Sequence, residues 1–308
     1  MNPKTKFFVL SLLISVLVTA LSTPLWGQTM PYWRLRYAQE ADGVTGNNTY
    51  ATTVVVTNPN SVYINVILED FSDINGNPMN TAYYHSCPTV TANASSITVQ
   101  IAPYSACRLD TAWTGSLETG WLRVTETTNT YVIGGYLAYT YYLGSVSTGT
   151  PIFTVGISPT PIVSWFTVPV LRDYATGEDT AYSVVNPYSY SVSLKALLYD
   201  AYGNQLTWTQ INLAPAGHRA QFFSELFPNY LASPSQFVGC VHFEGVGSTD
   251  AAIAAVLVAR KGQFGGATAT LDSIYSSKAP PRLDQEIFER PAFNGPNKDG
   301  GLVGPGIF

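Results

Sequence analysis

The side chains best suited to hold a metal or supply a nucleophile are three histidines, His85, His218 and His242, and three cysteines, Cys87, Cys107 and Cys240. No histidine has a second His or Cys at ligand spacing, and neither His-Glu-x-x-His nor Cys-x-x-Cys occurs, so no zinc site is expected. His242 alternates with Val241 and Phe243 and reads as the solvent face of a strand. Gly144-Ser145 and Gly247-Ser248 lack the Gly-x-Ser-x-Gly elbow of a serine hydrolase. Glu69, Asp70, Glu118, Glu126, Asp173 and Glu178 could supply the carboxylate pair of glycoside hydrolysis, but sequence alone places no two of them together. Asp73, Asn75 and Asn77 imitate the opening of a calcium loop; Gly76 is out of place and no acid closes the loop, so a hairpin turn is the reading. No catalytic, cofactor-binding or metal-ligating residue is assigned, and no enzyme activity is expected.

Aromatic side chains are the remaining candidates. Tyr136, Tyr139, Tyr141 and Tyr142 form one cluster and Tyr182, Tyr188 and Tyr190 another. Tyrosine offers a flat amphipathic face for stacking on sugars or contacting proteins. It also suits the half-buried surface of a sheet, so strand propensity explains the same residues.

Charged residues make up only 11% of the chain and net charge is −5, with the basic residues scattered. Solubility then rests on hydroxyl and amide groups, which suits extracellular β proteins, and no electrostatic footprint for nucleic acid exists. Lys4 and Lys6 followed by the apolar run Phe7–Leu21 form the charged and apolar regions of a secretory signal peptide, taken as residues 1–27. A membrane anchor is the competing reading, but the run is shorter than the roughly 20 residues a spanning helix needs, and Ser11, Ser15 and Thr19 dilute it. Beyond Leu21 no transmembrane segment follows, so the mature protein is expected to be exported to a periplasm, a cell surface or the medium. In such an oxidising compartment Cys87 and Cys107 can form a disulfide, whereas Cys240 in its alternating strand reads as a buried thiol.

The elements that carry these residues repeat. Thr53-Val-Val-Val-Thr-Asn-Pro59, an alternating run Val62–Leu68 and Asp73-Ile-Asn-Gly-Asn77 are answered by Ala181-Tyr-Ser-Val-Val-Asn-Pro187, Val192–Leu198 and Asp200-Ala-Tyr-Gly-Asn204. Ile97–Pro103 is answered by Ile211–Pro215, and Gly120-Trp-Leu-Arg-Val124 by Gly239-Cys-Val-His-Phe243. Pro lacks the N–H a ladder needs and stops a strand, and Gly supplies the positive φ of a hairpin turn. Period-two runs between such signals predict strands; only Phe222–Leu231 and the stretch Asp110–Leu117 read as helical turns. The expected organisation is an all-β chain of two tandem β-sandwich domains related by internal duplication. They span 32–146 and 162–276, joined by a linker or crossing strand at 147–161 and followed by a Pro/Gly-rich tail at 277–308.

The order Asn-Pro, Asp-x-x-Gly-Asn, apolar-x-apolar-Ala-Pro resembles the immunoglobulin-like or fibronectin-III-like repeats of poorly characterised secreted bacterial proteins, over about residues 32–265. The resemblance implies architecture and no catalytic residues, and the Cys, Trp, Cys core pattern of immunoglobulins is missing. A noncatalytic envelope or secreted module that binds a protein or envelope component is therefore expected. A carbohydrate-binding module or adhesin comes second and a carboxylate-pair hydrolase third.

Overall fold

The computed structural model describes residues 33–72, 75–79, 81–93, 96–113, 115–231, 236–248, 250–260, 268–271 and 274–275; the expected signal peptide and tail lie outside them. The chain is all-β, in two sheets. The first holds β1 (Arg34–Thr45), β2 (Asn48–Asn58), β3 (Ile64–Ser72), β4 (Asn77–Pro78), β5 (Tyr83–His85), β6 (Thr89–Asn93), β7 (Ser96–Ile101), β8 (Ser105–Thr111), β9 (Glu118–Glu126), β10 (Gly134–Leu143) and β11 (Thr150–Ile157). The second holds β12 (Trp165–Asp173), β13 (Glu178–Val185), β14 (Val192–Asp200), β15 (Gln205–Leu213), β16 (His218–Phe222), β17 (Phe237–Gly245), β18 (Ile253–Arg260), β19 (Thr268–Leu271) and β20 (Ile274–Tyr275). Two single-turn helices, α1 (Phe223–Leu226) and α2 (Pro228–Leu231), fall where the sequence predicts a helical turn. The described residues of 110–117 do not form the expected turn: Asp110 and Thr111 end β8, because their side chains and backbone are used across the ladder to Thr53 and Tyr83. No helix among the described residues is long and apolar enough to cross a membrane.

All ladders are antiparallel, and the sheets use matching pairings. In the first, β1 pairs with β2 and β9, β2 with β8 and β10, β3 with β7 and β9, and β10 with β11. In the second, β12 pairs with β13 and β17, β13 with β16 and β18, β14 with β15 and β17, and β18 with β19. Each sheet folds over a core of its inward residues: Tyr182 of β13 lies 5.4 Å from Phe243 of β17 although β12 stands between the two strands. Val54, Leu68, Val99, Leu122 and Leu137 are among those filling the first core, and Phe166, Val184, Leu198, Ile211 and Phe243 among those filling the second. Alternation of apolar and polar residues thus produces sandwich-like layers, since one face of each strand must leave water.

Additions distinguish the first sheet. Between the β3 hairpin and β7 lie β4, β5 and β6; β5 joins β8, and Cys87 just after it is disulfide-bonded to Cys107 in β8. The connecting stretch expected at 147–161 is a strand for most of its length, since β11 pairs with β10 and buries Val155 and Ile157.

Candidate functional site

At the end of β2, Asn58 is almost fully buried, and its amide donates to the carbonyls of Val62 (2.8 Å), Ile101 (3.1 Å) and Ala102 (2.9 Å). Its Oδ1 accepts from the backbone N–H of Asn60 at 2.9 Å. Asn186 at the end of β13 does the same for Tyr190 (2.6 Å), Leu213 (3.4 Å) and Ala214 (2.7 Å), and accepts from the N–H of Tyr188 at 3.0 Å. The Asn of each Asn-Pro is therefore a hub that ties two loops together, its own and the one that carries the Ala-Pro; three carbonyls that would otherwise be buried unpaired are satisfied by it. Each Ala-Pro leads to a residue with positive φ, Tyr104 (51°) and Ala216 (56°), whose N–H donates to the carbonyl of Asn60 or Tyr188.

These two matching ends meet different surroundings. The end built on Asn186 docks against the outer face of β3 and β9. There the fully buried Trp121 donates its indole N–H to the carbonyl of Ala216 at 2.8 Å, and its ring stacks on Phe71 at 4.8 Å. Arg123 lies over Phe71 at 5.0 Å and is held by Glu69 at 2.8 Å. Gly76, at φ 68°, lies so close to Pro215 O that a Cβ would collide with it, so this turn glycine also permits the docking. A second contact comes from the bulge in β1 between Tyr37 and Glu40: Ser183 Oγ donates to Ala38 O, and His218 Nε2 lies 3.0 Å from both Gln39 Oε1 and Ser183 Oγ. The end built on Asn58 has no such cover among the described residues. Tyr104 is 75% exposed and Tyr63 61%; Val62 precedes Tyr63, and Asn60 links the end to the exposed Val132 by donating to its carbonyl while accepting from the Tyr104 N–H.

The expected aromatics separate by strand face. Tyr139, Tyr141 and Tyr182 are buried, and burial raises their phenol pKa values. Tyr141 lies 4.7 Å from Tyr50 and 5.3 Å from Phe153. Tyr136 is exposed, Tyr142 half-buried, and Tyr188 stacks on the exposed Tyr190 at 4.9 Å and 13°. His242 is buried and not on a solvent face: it lies 5.7 Å from the Trp165 ring and 2.9 Å from Thr167 Oγ1, and burial lowers its pKa to about 4. Cys240 is a half-buried free thiol, and burial pushes it up to about 11.

Two carboxyls are brought together that spacing could not pair. Glu40, opposite Gly120 on β1, and Asp70, opposite Leu122 on β3, both point into the first core and come within reach of each other. Burial first, then the charges of Asp70 and Asp42, hold Glu40 far above the carboxylate range. Burial likewise raises Asp70, against the 2.8 Å hydrogen bond it accepts from the Tyr83 hydroxyl. Glu40 Oε1 has no partner. Asp42 is raised by burial but held by the N–H of Trp113 at 3.1 Å. Chemically this is a proton-sharing acid pair sealed in a core, not two acids facing each other across the ~5 Å or more that a glycosidic bond requires. Of the other candidate carboxylates, Glu69 pairs with Arg123 and Glu126 accepts from the N–H groups of Thr128 (3.0 Å) and Thr130 (2.9 Å), so both are engaged in structure. Among the described residues no group of three metal-ligating side chains could hold an ion.

No family model, no curated protein and no solved structure matches this chain.

Proposed function

We propose that the chain is a noncatalytic, exported module of two immunoglobulin-like β-sandwiches derived by duplication, which binds another protein through the Asn58 end of its first sandwich. The observation that carries this is the docking of the Asn186 end on Trp121: it is an example, within the molecule, of what such an end does. The matching end, with Val62, Tyr63, Tyr104 and Val132, presents the same rigid scaffold and a larger aromatic surface. Preorganised aromatic side chains on a tied loop lose little entropy when they bind. Recurrence of every principal ladder and of both asparagine hubs supports duplication. The burial of Tyr139, Tyr141 and Tyr182 favours a protein partner over a glycan, because those rings are taken up by the cores.

A photo-crosslinking residue at position 63 or 104, in cells that produce the protein, is expected to capture one discrete envelope or secreted protein. The same residue at the exposed Tyr174 should not, and Tyr104→Asp should abolish capture from position 63. Equal capture from all three positions, or none, would sink the proposal. A blank glycan array is expected alongside.

A further inference from the structure

The outer edge of β7 is covered by β6, which pairs with it from Thr89↔Gln100 to Asn93↔Ser96. The strand in the matching place of the second sheet is β15, which pairs with β14 as β7 pairs with β3. No described residue pairs with its other edge, because the second sheet, as described, has no segment corresponding to β4–β6. This strand, uncovered among the described residues, is nine residues long and reads Gln-Leu-Thr-Trp-Thr-Gln-Ile-Asn-Leu, with no charge and no proline. Those are the devices by which natural edge strands avoid pairing with another chain. The only irregularity in its ladder is a register shift near its start, between Leu198 and Tyr199 of β14. The neighbouring Lys195 does not guard it: its ammonium lies over the Trp208 ring at 5.3 Å and pairs with Glu244 at 3.4 Å.

We propose that β15 pairs with β15 of a second copy of this chain, antiparallel about a two-fold axis near Thr209, joining the two second sheets into one. A second copy fits this edge better than an arbitrary strand because the segment is self-complementary. Antiparallel pairing of a strand with itself is isologous and closes at the dimer, and uncharged side chains meet uncharged ones throughout. With the axis on Thr209, Trp208 lies opposite Gln210 of the partner subunit, and the reverse, so an indole covers an amide stem on each side of the axis. In the first sheet the same kind of edge is already satisfied by Thr89–Asn93, a segment of similar uncharged, β-branched character, which is why only the second sheet pairs edge to edge. The inference is independent of the Asn58-end reading, which concerns another surface.

Sedimentation equilibrium of the full chain tests it, with hydrogen exchange followed at low and high protein concentration. The wild type is expected to form a dimer, with slowed amide exchange in β15. The exposed double substitution Trp208→Glu with Gln210→Glu sets glutamates opposite one another twice across the axis, while within one copy both stand beside Lys195, so it should weaken the dimer about tenfold or more with little change in unfolding. A monomer at every concentration, a dimer unaffected by the two glutamates, or a dimer protected on strands other than β15 overturns the proposal. Loss of crosslinking at Tyr104 with the dimer retained would sink only the Asn58-end reading.

Discussion

Glu40 and Asp70 occupy the register positions in the first sheet that Val170 and Leu198 occupy in the second. Glu40 stands opposite Gly120 and Val170 opposite Gly239; Asp70 stands opposite Leu122 and Leu198 opposite Val241. All four side chains are buried. Two residues further along, Asp42 takes the place of Arg172, and the buried Asp179 of the second sheet has that arginine 3.9 Å away while the acids of the first sheet have each other. Two sheets with the same ladders thus tolerate opposite core chemistry, which teaches that the ladders and asparagine hubs define the fold, and the core composition at this point is free to be something else. An aliphatic pair is the less costly filling, since buried carboxyls must either stay protonated or repel.

The sharpest way to break this comparison is to move the acid pair. Val170→Glu with Leu198→Asp should destabilise the second sheet by about 5 kcal/mol or more, because the core around Phe166, Phe243 and Tyr182 is apolar and Arg172, two residues from Val170, is already paired with Asp179. Strand-resolved hydrogen exchange would detect it, and tolerance of the pair would mean that this core too can house acids. Next, Asn58→Ala and Asn186→Ala each strand three carbonyls and should each cost about 4 kcal/mol. Unequal losses, measured by urea unfolding, would mean that the hubs are not equivalent.

The two halves should also respond to pH in opposite directions. Burial lowers the His242 pKa to about 4 in the fold against about 6.5 unfolded, so the second sheet loses stability as pH falls from 6.5 to about 4, by on the order of 3 kcal/mol. His242→Gln should flatten that acid arm. A carboxyl raised by burial works the other way: its contribution is complete below the unfolded value and lost as pH rises through the folded one. Wild-type stability of the first sheet should therefore decline from mildly acidic to alkaline pH, and Glu40→Val with Asp70→Leu should raise it by about 2 kcal/mol at pH 8 and by less at pH 5. Thermal unfolding across this range, with exchange assigning each transition to its sheet, checks both arms.

The strands and their stops were legible in the sequence because alternation, Asn-Pro, Gly-Asn and Ala-Pro are local signals. What Asn58 and Asn186 do was not, since their partners lie on other loops up to 44 residues away in sequence. Asp70 stood among the candidate acids, but Glu40 did not: the bulge after Tyr37 shifts the alternation of β1, so its inward set is not readable by counting in twos. His242 alternates correctly yet is buried, because a strand's outer face is dry wherever neighbouring side chains such as Trp165 close over it. The tyrosines failed to sort by type for the same reason that Tyr suits both faces of a sheet.

Between β11 and β12 only residues 158–164 remain, and they are pinned: Thr160 N–H donates to Arg36 O at 2.9 Å, and Val163 exchanges two backbone bonds with Ala252. The two sheets are consequently joined by a short connection tied at one point to Arg36 in β1 and at another to Ala252, just before β18. One residue inserted beside Thr160 would shift the spacing of these two anchors and so re-aim one sheet against the other.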